Sequence, residues 1–292
     1  MRSIPQHLEF WRESAEWDDF PSVVVLGASG RIGRALRVFW PKALPVTWVA
    51  RSEGPVRCDP LKNPEEFAQI CKGADVILSV AGDAPGGALK SPADLADHVR
   101  LGTVLSEISG TRPLLLASSA AVYGHAGAEG MALREDTPLP EDQSSYGAAK
   151  RDMESAAPGS IALRVGNIAG LDAILGGWKP GFELDTFADG TTPRRSYIGP
   201  GTLALSLAAL CAKADMLPKV LNVAEPGVVS MGELLDAAEL PYSPLRASDD
   251  AIAEVKLDVT RLRGHLSRLN QSVDPRRLVA EAKWLESAQI PT

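Results

Sequence analysis

The sequence predicts an α/β fold, with a doubly wound parallel sheet and a smaller C-terminal lobe. Three features of its 292 residues support this prediction. Short apolar segments alternate with helical patterns, which is typical of parallel strands that are buried on both faces. A glycine turn joins the first apolar segment to the helix that follows it, within residues 23–36. After residue 166 the periodicity weakens and glycine, proline and aspartate become frequent, which indicates the smaller lobe.

The first half of the chain supplies most of the predicted sheet. The predicted strands are, in chain order, residues 22–26, 45–50, 56–58, 74–80, 113–118 and 160–165. The predicted helices are a short amphipathic one at 5–17, one that ends near Trp40, one that starts at Asn63-Pro64, and two at 91–109 and 144–156. Proline is favoured at the first helical position, which supports the start at Pro64. Because the strands are apolar throughout, this order predicts a Rossmann-type sheet with helices on both faces.

The second half of the chain is predicted to add elements to the sheet and to form the smaller lobe. The predicted elements are a strand at 196–198, an apolar helix at 201–213, a strand at 220–223, and helices at 230–238 and 275–288. We therefore expect three parts in the chain. They are an N-terminal helical extension (1–20), a core domain (21–166 and 195–224) and a small lobe (167–194 and 225–292).

Composition and charge exclude several classes of protein. The net charge of -7 argues against a surface for nucleic acid or for an anionic membrane. The cysteines at 58, 71 and 211 are far apart and form no CxxC pair, so we expect a reducing compartment without a disulfide framework or a metal site. No apolar run reaches the roughly 18–20 residues of a membrane span, and charged residues interrupt any signal peptide. We expect a cytoplasmic protein.

The glycine turn is typical of a binding site for a pyrophosphate. Gly27 allows a tight turn, Gly30 allows backbone N–H groups to approach phosphates, and Gly33 allows the helix to lie close to the strand. An ordinary turn between a strand and a helix is the alternative, but the position of the glycines after a buried strand favours a dinucleotide. The other turn residues expected at the cofactor are Ser29, Arg31 and Ile32.

A second set of residues is suited to proton transfer at a carbinol. Ser118 and Ser119 follow the buried strand 113–118, at the end where open α/β sheets bind ligands. Tyr146 and Lys150 are four residues apart, on one face of a helix. A nearby ammonium favours the phenolate, and such a phenol can exchange a proton with a carbinol oxygen that a serine hydroxyl holds. Taken alone, the tyrosine and lysine also fit a solvated helical pair. Together with the glycine turn, they indicate hydride transfer with a nicotinamide.

This combination resembles the short-chain dehydrogenase/reductase superfamily. It is most similar to its extended branch, the NAD-dependent epimerase/dehydratase family, over roughly residues 22–224 and more faintly to about 269. The resemblance implies that Tyr146 is the acid/base and that Lys150 lowers its pKa and binds the nicotinamide ribose. It also implies that Ser119, four residues before Tyr123, is the catalytic hydroxyl residue, with Ser118 as the competing assignment.

The resemblance implies further binding residues. Asp59 is similar to the acidic residue that meets the adenine, and Val80, Ala81 and Gly82 occupy the loop that passes beneath the cofactor. Asn167 and Arg195 are similar to residues that contact the diphosphate of a nucleotide sugar, and Ala120 lies beside Ser119 at the substrate. For Asn167 a turn residue is an equal alternative. For Arg194 and Arg195 the alternative is a solvated pair on a loop.

Three departures from the family pattern refine these expectations. Ala120 and Ala121 stand where 4,6-dehydratases carry an Asp-Glu pair, so we expect no 4,6-dehydratase. Arg51 and Ser52 stand where an NAD enzyme usually carries an acidic residue, so we expect NADP, with Arg31 adding to the site and NAD as the alternative. Only 28 positions separate Asn167 from Arg195, which favours a smaller or differently held substrate.

The sequence therefore predicts an NAD(P)-dependent oxidoreductase or epimerase that acts on a carbinol or ketone of a sugar or nucleotide sugar. An NADP-dependent reductase or dehydrogenase of a smaller carbonyl compound is one alternative. A non-catalytic NADP-binding regulator is another. The resemblance also implies a homodimer through the helices at 91–109 and 144–156.

Overall fold

The main sheet has seven parallel strands. The computed structural model describes residues 4–12, 20–42, 44–82, 92–127, 130–141 and 144–290. The strands of the sheet are β1 (Val23–Leu26), β2 (Val46–Ala50), β3 (Val56–Arg57), β4 (Val76–Ser79), β5 (Leu114–Ser119), β6 (Ile161–Val165) and β11 (Val220–Val223). They lie in the order β11-β6-β5-β4-β1-β2-β3, and each neighbouring pair is parallel. The predicted doubly wound sheet is confirmed.

Helices cover both faces of this sheet. The helices are α1 (Gln6–Arg12), α2 (Arg31–Phe39), α3 (Pro64–Cys71), α4 (Pro92–Ser109), α5 (Ser145–Ala156), α6 (Pro200–Ala212), α7 (Met231–Ala238), α8 (Thr260–His265) and α9 (Pro275–Ser287). Val23 and Val25 pack into an apolar cluster with α2 and α6, whereas Val24 and Leu26 pack into another with α3, α4 and α5. Alternate residues of one strand therefore bury on opposite faces, as period-two geometry requires.

The N-terminal helix is part of the core packing. Leu8 and Trp11, predicted on one stripe, are buried against the cluster that contains α2 and α6. The helix ends at Arg12, and residues 13–19 of the predicted segment lie outside the described residues. None of the helices that the structure describes combines the length and apolarity of a membrane crossing.

A buried carboxylate closes the start of α6. Glu281, on α9, accepts hydrogen bonds from the backbone N–H groups of Gly201 (2.8 Å) and Thr202 (2.9 Å). The same carboxylate accepts from the Thr202 hydroxyl and lies 2.7 Å from Nε2 of His7, on α1. The first N–H groups of a helix lack partners within the helix, and an anion there is favourable. Elements from both ends of the chain thus meet at one helix terminus.

The second half forms small sheets that sequence patterns did not predict. The additional strands are β7 (Asn167–Ile168), β8 (Glu183–Thr186), β9 (Arg194–Arg195), β10 (Tyr197–Ile198), β12 (Val229–Ser230), β13 (Ser243–Arg246) and β14 (Glu254–Val255). Strand β7 pairs with β10, β8 pairs with β13, and β9 lies between β12 and β14. Of these, only β10 was predicted. A third apolar cluster, which includes Tyr197, Leu234 and Leu278, packs these elements together. The exact lobe boundaries stay a prediction.

Candidate functional site

The strand order creates a crevice beside β1. The chain runs outward from β1 to β2 and β3, and then returns to β4 on the other side of β1. Ligands of doubly wound sheets bind at such a reversal, beyond the carboxyl ends of the strands. A cavity of about 220 Å³ lies there. Its walls are Leu26, Arg51, Asp59, Pro60, Leu61, Ala81, Gly82, Asp97, His98 and Leu101.

The glycine turn has the geometry that its sequence predicts. Gly27 has a φ of +100°, and a Cβ there would lie 2.6 Å from the Ala81 backbone nitrogen. A Cβ at Gly33 would overlap with the Gly27 carbonyl oxygen, so close packing of α2 on β1 requires glycine. Gly30 is exposed at the start of α2, and a Cβ there would meet only the Gly27 oxygen, at 3.3 Å. The N-terminus of α2 is therefore open to an anion.

The cavity beside the turn fits the adenosine part of a dinucleotide. Leu26, Leu61 and Leu101 offer apolar surfaces to a flat base. Asp59 and Arg51 add a carboxylate and a guanidinium on the same walls. Ala81 and Gly82, predicted beneath the cofactor, also line the cavity, and the Val80 N–H before them donates to the Leu26 carbonyl at 2.9 Å.

Four of the predicted cofactor residues are not among the residues that line this cavity. Ser29 and Ile32 are half-buried in the turn and the first turn of α2, and Ser52 is exposed after Arg51. Arg31 faces a different partner from the one predicted, because its guanidinium donates to the Leu171 carbonyl at 2.9 Å. This bond connects the start of α2 to the loop after β7. A guanidinium carries five N–H donors, so this bond leaves the role of Arg31 at the cofactor a prediction.

Helix α5 brings Tyr146 and Lys150 to the same crevice. The Ser144 hydroxyl caps the helix by accepting from the Gly147 N–H at 3.1 Å. Lys150 Nζ lies 5.9 Å from the centroid of the Tyr146 ring and donates to the Ala117 carbonyl of β5 at 2.9 Å. Lys150 is only 4% exposed, so the alternative of a solvated helical pair does not hold for it. Tyr146 is half-buried.

The turn after β5 lies beside the start of α5. Ser119 is half-buried, and its hydroxyl accepts from the Ala121 N–H at 3.2 Å in the 3-10 turn Ala120–Tyr123. A Cβ at Gly147 would lie 2.4 Å from the Ala121 carbonyl oxygen. Ser119 and Tyr146 thus flank one tight backbone contact. Ser118 instead bonds to Glu154 at 2.5 Å and is 5% exposed, which makes it the weaker candidate for a substrate contact.

A buried polar network lies behind this turn. The Glu154 carboxylate accepts from Arg164 Nη2 at 2.8 Å, and Arg164 Nη1 lies 3.2 Å from the Tyr123 hydroxyl. The Tyr123 hydroxyl donates to Asn222 Oδ1 at 2.7 Å. Burial acts to lower the pKa of the Arg164 guanidinium, but the bonds and charge of Glu154 outweigh it and raise the pKa. The network ties α5 to β5, β6 and β11.

The sequence analysis did not predict this buried network of Glu154, Arg164, Tyr123 and Asn222. A charged residue inside an otherwise apolar strand was the one available signal, and Arg164 provides it.

Two of the predicted substrate residues, Asn167 and Arg195, lie in the second half of the chain, among the small sheets. Asn167 is half-buried in β7, and its side chain bonds to the Tyr197 hydroxyl. That hydroxyl also donates to the Asp172 carboxylate at 2.9 Å, and burial raises the pKa of Asp172. Asp172 was not predicted, because only the fold brings it to Tyr197.

Arg194 and Arg195 point to different partners. Arg194 forms an ion pair with Glu254 at 2.7 Å and is exposed, which agrees with a surface residue. Arg195 is half-buried and donates to the Arg194 carbonyl at 2.8 Å, and burial lowers the pKa of its guanidinium. Both residues lie in β9 and not on a loop, so the alternative of a solvated loop pair is wrong for Arg195.

One further buried residue lies at the crevice. His98, on α4, is 2% exposed and lines the cavity. Its ring lies edge-on to the Tyr146 ring, with centroids 6.2 Å apart. A lone histidine in a helical pattern gives no signal of function in sequence, and it was not predicted.

Known proteins share this fold. The model of the NAD dependent epimerase/dehydratase family matches residues 23–162. No curated protein matches the chain in sequence. Several solved structures resemble it over most of its length, at identities that show a common fold.

An NAD-dependent NDP-hexosamine 5,6-dehydratase of tunicamycin biosynthesis, TunA, superimposes with a TM-score of 0.74 at 18% identity, over 92% of this chain and 99% of that one. UDP-glucose 4-epimerase from Bifidobacterium longum, solved with NAD+ and UDP, gives 0.72 at 18% identity, over 91% and 98%. MoeE5, solved with UDP-glucose and NAD, gives 0.72 at 23% identity, over 91% and 99%.

Proposed function

We propose that this chain is a member of the NAD dependent epimerase/dehydratase family, whose model matches residues 23–162, and that it is an NAD(P)-dependent enzyme acting on a carbinol or ketone of a sugar or nucleotide sugar. The observation that carries the proposal is the position of Lys150 and Tyr146. The buried ammonium lies against the phenol ring, and both lie at the crevice that begins at the glycine turn. This is where a dinucleotide would place its reactive end.

In the proposed mechanism, two side chains contact the substrate oxygen and a third stabilises the phenolate of one of them. A bound nicotinamide supplies the hydride acceptor or donor. Tyr146 takes the proton from the carbinol oxygen, or returns it to the ketone, while the Ser119 hydroxyl holds that oxygen. Lys150 favours the phenolate through its positive charge, and its bond to the Ala117 carbonyl keeps the ammonium in place.

We propose NADP as the preferred cofactor. Arg51 lies on the cavity wall, and its fork of donors suits a 2′-phosphate. The similar solved structures hold NAD, which is the alternative. In wild type we expect a lower Kd for NADP than for NAD. Arg51→Ala should raise the NADP Kd about 10-fold or more and leave the NAD Kd nearly unchanged.

A neighbouring arginine gives the matched control. Arg57, on β3, is also exposed, and Arg57→Ala should change neither Kd. Equal Kd values for the two cofactors in wild type, or an unchanged ratio in Arg51→Ala, would contradict the preference for NADP.

The substrate class is proposed from the family and from the site. Solved structures with this fold hold UDP and UDP-glucose, which supports a nucleotide sugar. The short segment from Asn167 to Arg195, together with Arg51, supports the second candidate, a reductase of a smaller carbonyl compound. Ala120 and Ala121 carry no proton-exchanging group, which argues against 4,6-elimination. The dehydratase among the similar structures makes elimination a product to look for.

We also propose that the protein forms a homodimer and is located in the cytoplasm. Helices α4 and α5 are the proposed dimer contact, and light scattering of the purified protein tests it. The described cysteines are buried and free, which supports a reducing, cytoplasmic setting.

The experiment incubates the protein with NADP or NAD and a panel that includes UDP-glucose and small keto compounds. A net change in nicotinamide absorbance indicates a dehydrogenase or reductase, and isomerised product without that change indicates an epimerase. Tyr146→Phe should lower kcat by at least about 100-fold while the cofactor Kd stays within a few-fold. Tight cofactor binding without turnover of any compound would contradict an enzyme and favour a regulator.

A further inference from the structure

His98 is held at the catalytic end of the cavity by contacts from three sides. Its ring meets the Tyr146 ring edge-on, at an interplanar angle of 82°. On another side lies Gly82, with a φ of +128°, where a Cβ would come within 2.7 Å of His98 Cε1 and 3.0 Å of Nδ1. The loop through Gly82 is one that the cofactor is proposed to cover. The imidazole is therefore placed between the candidate acid/base and the cofactor loop.

Lys150 approaches the same place. The position of that Cβ on Gly82 would be 3.3 Å from Lys150 Nζ. The ammonium and the imidazole Nδ1 therefore lie no more than about 6.3 Å apart, a separation that bridging water can span. The ionisable side chains that the structure places near His98 are Tyr146 and Lys150 on α5, and Arg51, Asp59 and Asp97 line the same cavity.

We propose that His98 relays the catalytic proton. Its imidazole takes up the proton that Tyr146 receives from the substrate, and it returns a proton to Tyr146 when the reaction runs in reverse. The inference rests on the proposed function. An imidazole is the one side chain whose ordinary pKa lies near neutrality, so it can both accept and release this proton.

The proposed step balances as follows for oxidation. The carbinol O–H and C–H bonds break, a bound nicotinamide would accept the hydride, and the proton passes to the Tyr146 phenolate. The new phenol O–H bond then breaks, and its proton moves through water to a ring nitrogen of His98. The imidazolium releases the proton to solvent. His98 must therefore be neutral at the start, and the neighbouring Lys150 cation favours the neutral imidazole.

The first test needs no turnover. Imidazole resonances of ¹³C-labelled histidine are followed by NMR against pH in the cofactor-free protein, with His98 assigned by its loss in His98→Gln. In Lys150→Met the midpoint of the His98 titration should move to higher pH by at least about half a unit, because a nearby positive charge is removed. His265, which lies on α8 and whose carbonyl accepts from Lys213, is the internal control and should not move.

The second test is the pH dependence of kcat in the oxidative direction. Wild type should lose kcat on the acid side at the midpoint that NMR gives for His98. His98→Gln should lack this acid limb and lose on the order of 100-fold in kcat, with KM within about 3-fold. A packing defect alone would lower kcat without changing the shape of the profile. His265→Gln should keep both kcat and the limb, and His98→Asn replaces the glutamine variant if that variant does not fold.

The outcomes separate this inference from the function on which it rests. The role of His98 would be overturned if the acid limb persists in His98→Gln, or if the His98 midpoint is unchanged in Lys150→Met. Neither outcome would contradict the proposed enzymatic function. An absence of turnover in wild type at every pH would instead remove the proposed function. In that case the NMR arm still decides whether the imidazole and the ammonium are coupled.

Discussion

Gly147 controls the distance between the two halves of the candidate catalytic site. A Cβ at this position would lie 2.4 Å from the Ala121 carbonyl oxygen, and Cβ contacts under 3.0 Å essentially do not occur. In Gly147→Ala the turn after β5 and the start of α5 must therefore separate by about 0.6 Å or more. Ser119 is on one side of this contact and Tyr146 is on the other. Because a misplacement of about 1 Å can cost about 100-fold in rate, we expect kcat to fall roughly 10- to 100-fold.

The assay compares this variant with a second helical glycine. Gly264, in α8, has open space where a Cβ would lie, so Gly264→Ala should gain up to about 1 kcal/mol of helix propensity and keep full activity. The cofactor Kd should stay within about 3-fold in both variants, because the glycine turn is untouched. Wild-type kcat in Gly147→Ala would refute the reasoning, since the contact would then not set the reactive distance.

The remaining predictions concern stability. Arg164→Met leaves the nearly buried Glu154 carboxylate without its cation, and should lower the free energy of unfolding in urea by about 3–5 kcal/mol. The same change at Arg100, whose pair with Asp97 is exposed, should cost less than about 1 kcal/mol. Burial raises the pKa of Glu225 to about 7, well above its value in the unfolded chain, so the folded state should lose up to about 3 kcal/mol as pH rises from about 4.5 to 7. Denaturation at pH 5 and pH 8 should show this loss in wild type and a smaller one in Glu225→Gln, and equal slopes would contradict it.

Much of the fold could be predicted from local signals. Apolar runs such as residues 74–80 identify strands that are buried on both faces, and the glycine turn marks the first strand–helix junction. The predicted bounds fall within a few residues of the observed ones, as at Val76–Ser79. The small sheets were not predictable in this way, because a strand of two residues such as β9 has no period.

In the candidate site, too, local spacing predicts some residues, and only the tertiary structure brings in the others. Tyr146 and Lys150 lie one helical turn apart, so their shared face follows from spacing alone. His98 reaches the same crevice from another helix, and Asp172 bonds to Tyr197, which is 25 residues away in sequence. Their roles depend on tertiary contacts that the local sequence does not record. Arg31 combines both cases, since its place in the turn predicts a cofactor contact and its bond to the Leu171 carbonyl was not predictable from the turn.

The carboxylate of Glu281 has a consequence for any attempt to shorten the chain. A fragment such as 21–224 would keep every strand of the main sheet, but the backbone N–H groups of Gly201 and Thr202 would lose their acceptor, the Glu281 carboxylate. Deleting α1 alone would keep those two hydrogen bonds, but Glu281 would lose its contact with His7. The domain that contains the main sheet is thus not a separable module, because α1 and α9, from opposite ends of the sequence, complete its packing.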